Sequence, residues 1–378
     1  MKSTDAFHQR PASEPGSHSL DGVRSVFHRG FGDHLPSHLK NLRTHRYQGQ
    51  DQDTLLSRLS LGDQERTRLL YGYAKGVHLC WLSMRDAPDW GVLREKVLAL
   101  LTPPLRSAAK DLGLETMANT SDPDVKHAMG KVLHDLRGGA LMSLQLYAHM
   151  AEMDGDPADL RAAAYLTRDQ AKIMRNALPD LDPEVRQADE AEKPHFMQTV
   201  VEKWDGFRFE GADGQMGRVD VSRAYHGLLA SCCLEASAVD RVIYNYVNNA
   251  TRFSSGPVIR MDIQSIDAQT VRWIVANPIT PDQDRWLQHE TNGDLSRLFR
   301  GGLTRNGNGL GLSNCADFVA AAFGLPDIEA ALRGRYLGAK VEDGWYLAWA
   351  HWPALYPRDS TPHAATAGES SPVDQPSV

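Results

Sequence analysis

The chain has 378 residues, 42% of them hydrophobic and 24% charged, with a formal net charge of −7. That balance suits two or three soluble domains and argues against a dedicated nucleic-acid binder, whose phosphate-facing surface would be basic. No run of about 18 apolar residues occurs, so no membrane span is expected; residues 1–20 are polar, without an apolar signal core, and the reading is cytoplasmic.

The four cysteines, Cys80, Cys232, Cys233 and Cys315, form no C-x-x-C pair and are expected as small buried residues in a reducing compartment. Residues 1–50 are rich in His, Ser, Gly, Arg and Pro and should be mostly disordered. Over 51–118 the pattern turns helical. Leu69, Leu70, Tyr73, Val77 and Trp81 recur at three and four, as do Trp90, Leu93, Val97, Leu100 and Leu101; Pro103-Pro104 ends the second helix. This reads as a small helical regulatory module. Ser121-Asp122-Pro123 starts a longer helix, expected to run to about Met153. Gly155-Asp156-Pro157 turns the chain into another, reaching about Leu178. Residues 121–182 thus predict an antiparallel hairpin. Each helix is too amphipathic to stand alone, and a second copy would complete a dimeric four-helix bundle.

Residues 182–194 are acidic and polar and read as a linker. Beyond it, over 195–356, the grammar changes. The pattern predicts a helix over 196–204, strands over 206–210 and 216–221, helices over 224–236 and 238–250, and adjacent strands over 258–266 and 271–277. A loop with short helical pieces follows over 278–308, then a helix over 313–323 and strands over 335–342 and 344–352. This is an α+β sandwich, with helices on one face of a mixed sheet. The tail, 357–378, is rich in Pro, Ser, Thr and Ala and is expected to be disordered.

Three stretches carry chemistry. Gly307-Asn308-Gly309-Leu310-Gly311-Leu312 precedes a helix. Its alternating glycines allow a tight turn and close approach to a phosphate, and the helix start adds free N–H groups and a positive dipole end. His134-Asp135-Leu136-Arg137 lies on the first hairpin helix. At about 100° per residue, Val125, Met129, Val132, Leu133, Leu136, Ala140 and Leu144 share one stripe, and His134 lies roughly 160° from Leu136. It is either a solvated surface histidine or a nucleophile, one ring nitrogen attacking a γ-phosphoryl group while the other carries a proton. Asp135 then orients the ring and accepts that proton, or is simply solvated. Arg137 meets phosphate charge or pairs with a surface acid. Asn245, Asn248 and Asn249 crowd one predicted helix, although asparagine is a modest helix former. They cap a helix end, or they help hold Mg²⁺, which takes oxygen ligands jointly from protein and nucleotide phosphates. In the second case Asn249 supplies a carbonyl oxygen, Asn245 shares its helix face, and Arg252 reaches phosphate.

In this order the stretches resemble a bacterial sensor histidine kinase. His134 to Arg137 resembles the phosphoacceptor box, and Arg241 to Phe253 the N box, with its Asn-x-x-x-Asn-Ala core at Asn245 to Ala250. Leu298 to Arg305 resembles the lid, and Gly307 to Leu312 the second glycine box. From His134 to Asn249 is 115 residues, and from Asn249 to Gly309 another 60. The resemblance covers about 121–352. It implies a GHKL-type ATP-binding domain beside a dimerisation and histidine-phosphotransfer hairpin. His134 and Asp135 would be catalytic, and Asn249 would hold the metal. Asn245, Arg252, Asn277, Arg305, Gly307, Gly309 and Gly311 would bind nucleotide. ATP and Mg²⁺ are the implied cofactors, a homodimer the implied assembly, and a response regulator receiver domain the implied partner. Two positions depart from the family. Its first glycine box, Asp-x-Gly-x-Gly, is replaced by Ile274-Val275-Ala276-Asn277-Pro278-Ile279, where Asn277 would read the adenine amino group through its carbonyl oxygen. The polar residue that supports phosphatase activity is replaced by Gly138-Gly139, which would let the helix bend or a neighbour approach. An alternative is an inactive relative of the same fold that docks a partner through its helical bundle.

Overall fold

A computed structural model describes residue 39 and residues 54–211, 214–303 and 309–356. The expectations for 1–50, Leu39 apart, and for the tail lie outside these residues. The chain begins as a set of capped helices. Helix α1 (Leu61–Met84) starts at Ser60, whose hydroxyl accepts from the Asp63 N–H, and α2 (Trp90–Leu98) starts at Asp89 in the same way. Helices α3 (Pro103–Asp111) and α4 (Leu114–Asn119) follow. Asp63 is fully buried, and its oxygens accept from the Gly113 and Thr116 N–H groups and the Thr116 hydroxyl, which ties the first turn of α1 to α4.

The hairpin is built from three helices, α5 (Pro123–Arg137), α6 (Leu141–Met153) and α7 (Pro157–Ala177). The single first helix expected up to Met153 is broken at Gly138-Gly139-Ala140. Glycine is a poor helix former, and two of the carbonyls at the break are taken by other elements. Gln170 Nε2 donates to Leu136 O at 2.9 Å, and Asn248 Nδ2 donates to Gly139 O at 3.2 Å. The break is thus tied to α7 inside the hairpin and, through Asn248, to the domain that follows.

Part of the hairpin's apolar surface packs on helices of this same chain. Helix α1 lies along α7, and α2 packs on both α6 and α7. The buried stripe of α1 is Leu70, Tyr71, Ala74, Val77 and Trp81, while Leu69 points outward at 44% exposure. Burying each large apolar side chain here contributes roughly 1.5–3 kcal/mol, so α1 and α2 share one core with the hairpin rather than forming a separate module. The ends are pinned by polar contacts. Tyr71 Oη donates to Asp182 Oδ2 at 2.5 Å, Lys75 Nζ lies 2.6 Å from the same oxygen, and Arg94 Nε donates to Ala151 O at 2.7 Å.

The expected linker is structured. Helix α8 (Pro183–Glu190) leads into strand β1 (Glu192–Phe196). Asp189 is buried and paired rather than solvated: Arg175 grips it through Nε at 2.8 Å and Nη2 at 3.0 Å. After α9 (Gln198–Trp204) come β2 (Arg208–Glu210), β3 (Met216–Arg223) and β4 (Leu228–Cys232). Strand β4 falls where a helix was predicted; a short apolar run cannot be told from a buried helix by period alone, and pairing with β1 decides it. Helix α10 (Cys233–Phe253) is then one continuous helix where two were expected. Strands β5 (Val258–Asp267), β6 (Thr270–Pro278), β7 (Leu337–Glu342) and β8 (Trp345–Pro353) complete a six-stranded sheet of order β2-β3-β5-β6-β8-β7, antiparallel except for β3 with β5.

Helix α11 (Pro281–Thr291) occupies the expected loop, started by a reciprocal capping box between Thr280 and Gln283. Its few apolar side chains hid the helical period. Helix α12 (Gly311–Phe323) packs on α10, β8 and α5, and α13 (Ile328–Arg333) follows. The helix-on-sheet sandwich stands as expected, and α10 and α12 lie between its sheet and the hairpin.

Candidate functional site

A cleft opens between the end of α10, the end of β6, α11 and the start of α12, with His134 of the hairpin across its mouth. One end of the cleft is built around Gly311, the first residue of α12. No side chain caps this helix, and anion sites at helix starts use such uncapped N–H groups. A Cβ on Gly311 would stand 2.9 Å from Asn245 Oδ1 and 3.3 Å from both Cε1 and Nε2 of His134. Only glycine lets the imidazole come this close to the turn. Gly309 has φ +65°, and a Cβ there would lie 3.1 Å from the backbone nitrogen of Gly302. The backbones of Gly302 and Gly309 thus pass close together, with no room for a side chain at Gly309.

His134 Nδ1 lies 3.3 Å from Asp135 Oδ1, which places the ring proton on Nδ1 and leaves the Nε2 lone pair facing Gly311. Asp135 is 3% exposed and held from two further sides. Asn314 Nδ2 of α12 donates to Oδ1 at 2.9 Å. Arg241 Nε of α10 donates to Oδ2 at 2.9 Å, and its Nη2 closes on the same oxygen. Burial alone would raise the Asp135 pKa; the Arg241 charge and the His134 and Asn314 hydrogen bonds outweigh it and bring it down to about 2. The carboxylate is therefore a fixed anion that orients the ring, and a weak proton acceptor.

The expected site residues separate as follows. Asn249, Arg252, Asn277, Gly309 and Gly311 line the cleft together with His134. Asn245 is 9% exposed and sits behind Gly311, supporting the turn from below. Arg305 and Gly307 lie outside the described residues. Asn248 holds the Gly139 carbonyl. No group of three or more His, Cys, Asp or Glu suited to a metal occurs among the described residues. A divalent ion at Asn249 would accordingly take most of its oxygens from phosphate and water, as Mg²⁺ does, and the half-buried amide of Asn249 at the cleft wall fits that role.

At the base end the missing first glycine box becomes a pinned turn. Asn277 ends β6, 1% exposed, and its Nδ2 donates to Pro278 O at 3.1 Å. The Ser255 N–H donates to the same Pro278 oxygen at 2.9 Å, the Ile279 N–H donates to Gly344 O at 2.9 Å, and Thr280 caps α11. With its nitrogen so engaged, Asn277 keeps Oδ1 as a free acceptor. Phe253, Ile279, Trp286 and Tyr346 supply apolar wall around it, suited to a flat base.

Sequence reasoning missed Arg241, Asn314 and the apolar wall. Arg241 stands one helical turn before Asn245, and that phase marks it as facing the same neighbour. Asn314 carries no such mark. Around the cleft the two domains meet through charge. Lys131 of α5 pairs with Asp317 of α12 at 2.5 Å. Lys203 bridges Asp169 at 2.6 Å and Asp240 at 2.7 Å, Lys172 adds a 3.0 Å contact to Asp240, and the Tyr244 hydroxyl donates to Asp169 at 3.1 Å.

No protein-family model and no curated protein matches the chain. Among solved structures it is similar to full-length ShkA in complex with AMPPNP, at 17% identity over 57% of this chain and 40% of that one, TM-score 0.30. It is also similar to the mycobacterial sensor histidine kinase MprB, at 15% identity over 44% and 100%, TM-score 0.27. The histidine kinase domain of the blue-light activated EL346 from Erythrobacter litoralis matches at 12% identity over 59% and 91%, TM-score 0.27. The chain spans well under half the length of the ShkA chain. Superposition is loose at these TM-scores, and what the chain does has to be read from the cleft itself. No helix among the described residues is long and apolar enough to cross a membrane.

Proposed function

We propose that the chain is an ATP-dependent histidine protein kinase that phosphorylates its own His134 and passes the phosphoryl group to an aspartate of a response regulator receiver domain. One observation carries this reading: the His134 imidazole lies against Gly311, at the uncapped start of the helix where a γ-phosphate would rest. Nucleotide enters with its base against Asn277 and the apolar wall and its phosphates toward Gly309, Gly311 and Arg252. Mg²⁺, when bound, would be held at Asn249 and would neutralise charge on the phosphate oxygens.

His134 Nε2 attacks the γ-phosphorus. The bond from that phosphorus to the β–γ bridging oxygen breaks, and ADP leaves with the electron pair. The imidazole gains positive charge as the new N–P bond forms, and the Asp135 anion stabilises it through the Nδ1–H contact. Arg241 and Asn314 keep that anion ionised and aimed. Transfer to an aspartyl carboxylate then regenerates the neutral ring.

Incubation with γ-labelled ATP and Mg²⁺ tests the reading. The wild-type chain should take up label that is stable to base and lost in acid, and His134→Ala should take up none while binding ATP as tightly. Acid-labile label in His134→Ala would remove His134 as the acceptor. Absence of label in the wild type would remove the kinase reading altogether.

A further inference from the structure

We propose that the groove between α1, α7 and α9 is a second binding site, one for a small anion that carries a flat aromatic ring. The groove shares no lining residue with the cleft that holds His134, and the proposal stands whether or not the chain is a kinase.

Helix phase makes the groove. Residues three, four and seven apart lie on one helix face. On α7 that spacing groups Arg161, Tyr165 and Arg168, and at the end of α1 it groups His78, Trp81 and Arg85. The two helices pack along each other. Both rows line one cavity of about 560 Å³, with Glu202 of α9 also on its wall. Small-molecule sites typically enclose about 300–1,000 Å³.

The charge of the wall is one-sided. Three guanidinium groups, from Arg85, Arg161 and Arg168, stand against the single carboxylate of Glu202, in a chain whose net charge is −7. Arg85 and Arg161 form no ion pair among the described residues. Arg168 Nε donates to Asp169 Oδ1 at 2.8 Å, but the same carboxylate is shared with Lys203 at 2.6 Å and Lys172 at 3.3 Å. The arginines are therefore under-neutralised. A guanidinium takes a carboxylate through two parallel hydrogen bonds, so an anionic group is the natural occupant.

The rest of the wall calls for a ring. Trp81 and Tyr165 line the cavity, and the Arg168 guanidinium carbon lies 5.1 Å from the Tyr165 ring centroid. Aromatic faces beside cations accept a flat ring in offset or edge contact. His78 adds a neutral polar edge. Burial, with the Arg168 charge adding to it, pushes its pKa down to about 4, so the ring is uncharged near pH 7. Its Nδ1 is buried without a hydrogen-bond partner. Buried polar atoms are almost always paired, and an unpaired one on this wall is a further polar group for a ligand to meet. A neutral ring would leave the arginines unpaired, a cation would be repelled by them, and a bare anion would leave the Trp81 and Tyr165 faces unused.

Titration calorimetry on the full chain tests the site, with naphthoate as the probe. Three analogues accompany it: naphthylmethanol keeps the ring without the charge, naphthylmethylammonium reverses the charge, and acetate keeps the charge without the ring. Naphthoate should bind once per chain, tighter than each analogue by about 10-fold or more. Arg85→Gln and Arg161→Gln change exposed side chains and should leave the thermal midpoint in place. Each should weaken naphthoate binding by about 10-fold, while Trp286→Ala, in the nucleotide cleft, should leave that binding unchanged. No binding of naphthoate overturns the proposal, as does equal affinity for naphthylmethanol. Binding that survives both arginine substitutions but is lost in Trp286→Ala would place the probe in the nucleotide cleft and overturn it too.

Discussion

The two ends of the cleft are made of opposite materials. At the phosphate end the backbone itself is the surface: Gly309 and Gly311 strip away side chains, the start of α12 presents N–H groups, and charged or polar residues stand behind them. At the base end side chains are the surface, and the turn after Asn277 is held by four hydrogen bonds or caps instead of by glycine flexibility. A phosphate must be approached closely from many directions, and few residue types allow that. A flat base needs only apolar wall and one oriented polar group, and many sequences provide those. Damage should therefore be severe at the first end and graded at the second.

The sharpest way to break the contrast is one methyl group at the phosphate end. Gly311→Ala would place a Cβ 2.9 Å from Asn245 Oδ1 and 3.3 Å from the His134 ring. Asn245 is held inside the sandwich, so the imidazole is the group that moves. A displacement on the order of 1 Å between nucleophile and phosphorus costs roughly 100-fold in rate. Label uptake should fall by about that factor while the thermal midpoint changes little. Uptake within about twofold of the wild type would mean that His134 does not react in the position observed.

Arg241→Met should act more mildly, because Arg241 touches Asp135 and not the cleft. We expect uptake to fall about 10-fold, with ATP affinity unchanged and partial recovery in Arg241→Lys. The pH response separates this from a general loss of structure. The Asp135 pKa is depressed from 3.8 to about 2, so its contribution to the docked hairpin, roughly 2 kcal/mol, is complete above about pH 4 and is lost as pH falls toward 2. Without the Arg241 charge, the upward push of burial is less opposed and the loss begins at higher pH. Acid unfolding followed by tryptophan fluorescence should show its midpoint shifted upward in Arg241→Met; an unmoved midpoint would leave Arg241 with no hold on Asp135.

The contrast between the two ends also explains what was legible in the sequence. His134, Asn249, Gly309 and Gly311 were singled out by their residue types and their order in the sequence, and the fold brings these four to one cleft. The α+β sandwich was legible because β5, β6 and β8 are apolar-rich runs of strand length separated by turn residues. Three kinds of feature stayed hidden. Contacts such as Asp135 with Asn314, 179 residues apart, leave no local pattern. Strand β4 and helices α8 and α11 are too short or too polar to show a period. The packing of α1 on the hairpin was the least visible, since an apolar stripe says only that something covers it; Leu70, Val77 and Trp81 of α1 are buried there.

The smallest expected effect lies at the base end, at Asn277→Asp. The Asn277 amide is turned by its bond to Pro278 O, and on the proposed reading its Oδ1 would accept from an adenine amino group. A carboxylate is the stronger acceptor for that amino group, and it repels the carbonyl that guanine presents at the same edge. It cannot donate to Pro278 O, however, and two acceptors would then face each other in a site that is 1% exposed. The first effect favours ATP over GTP, and the second loosens the turn. Losing one hydrogen bond of this kind costs about 0.5–1.5 kcal/mol, enough to lower the thermal midpoint by a few degrees but not to unfold the domain. Titration of both nucleotides should show the ratio of ATP to GTP affinity rising by about two- to fivefold, a change of at most roughly 1 kcal/mol. An unchanged ratio together with a lowered midpoint would mean that Asn277 only holds the turn, and that the base is chosen by the apolar wall of Phe253, Ile279, Trp286 and Tyr346.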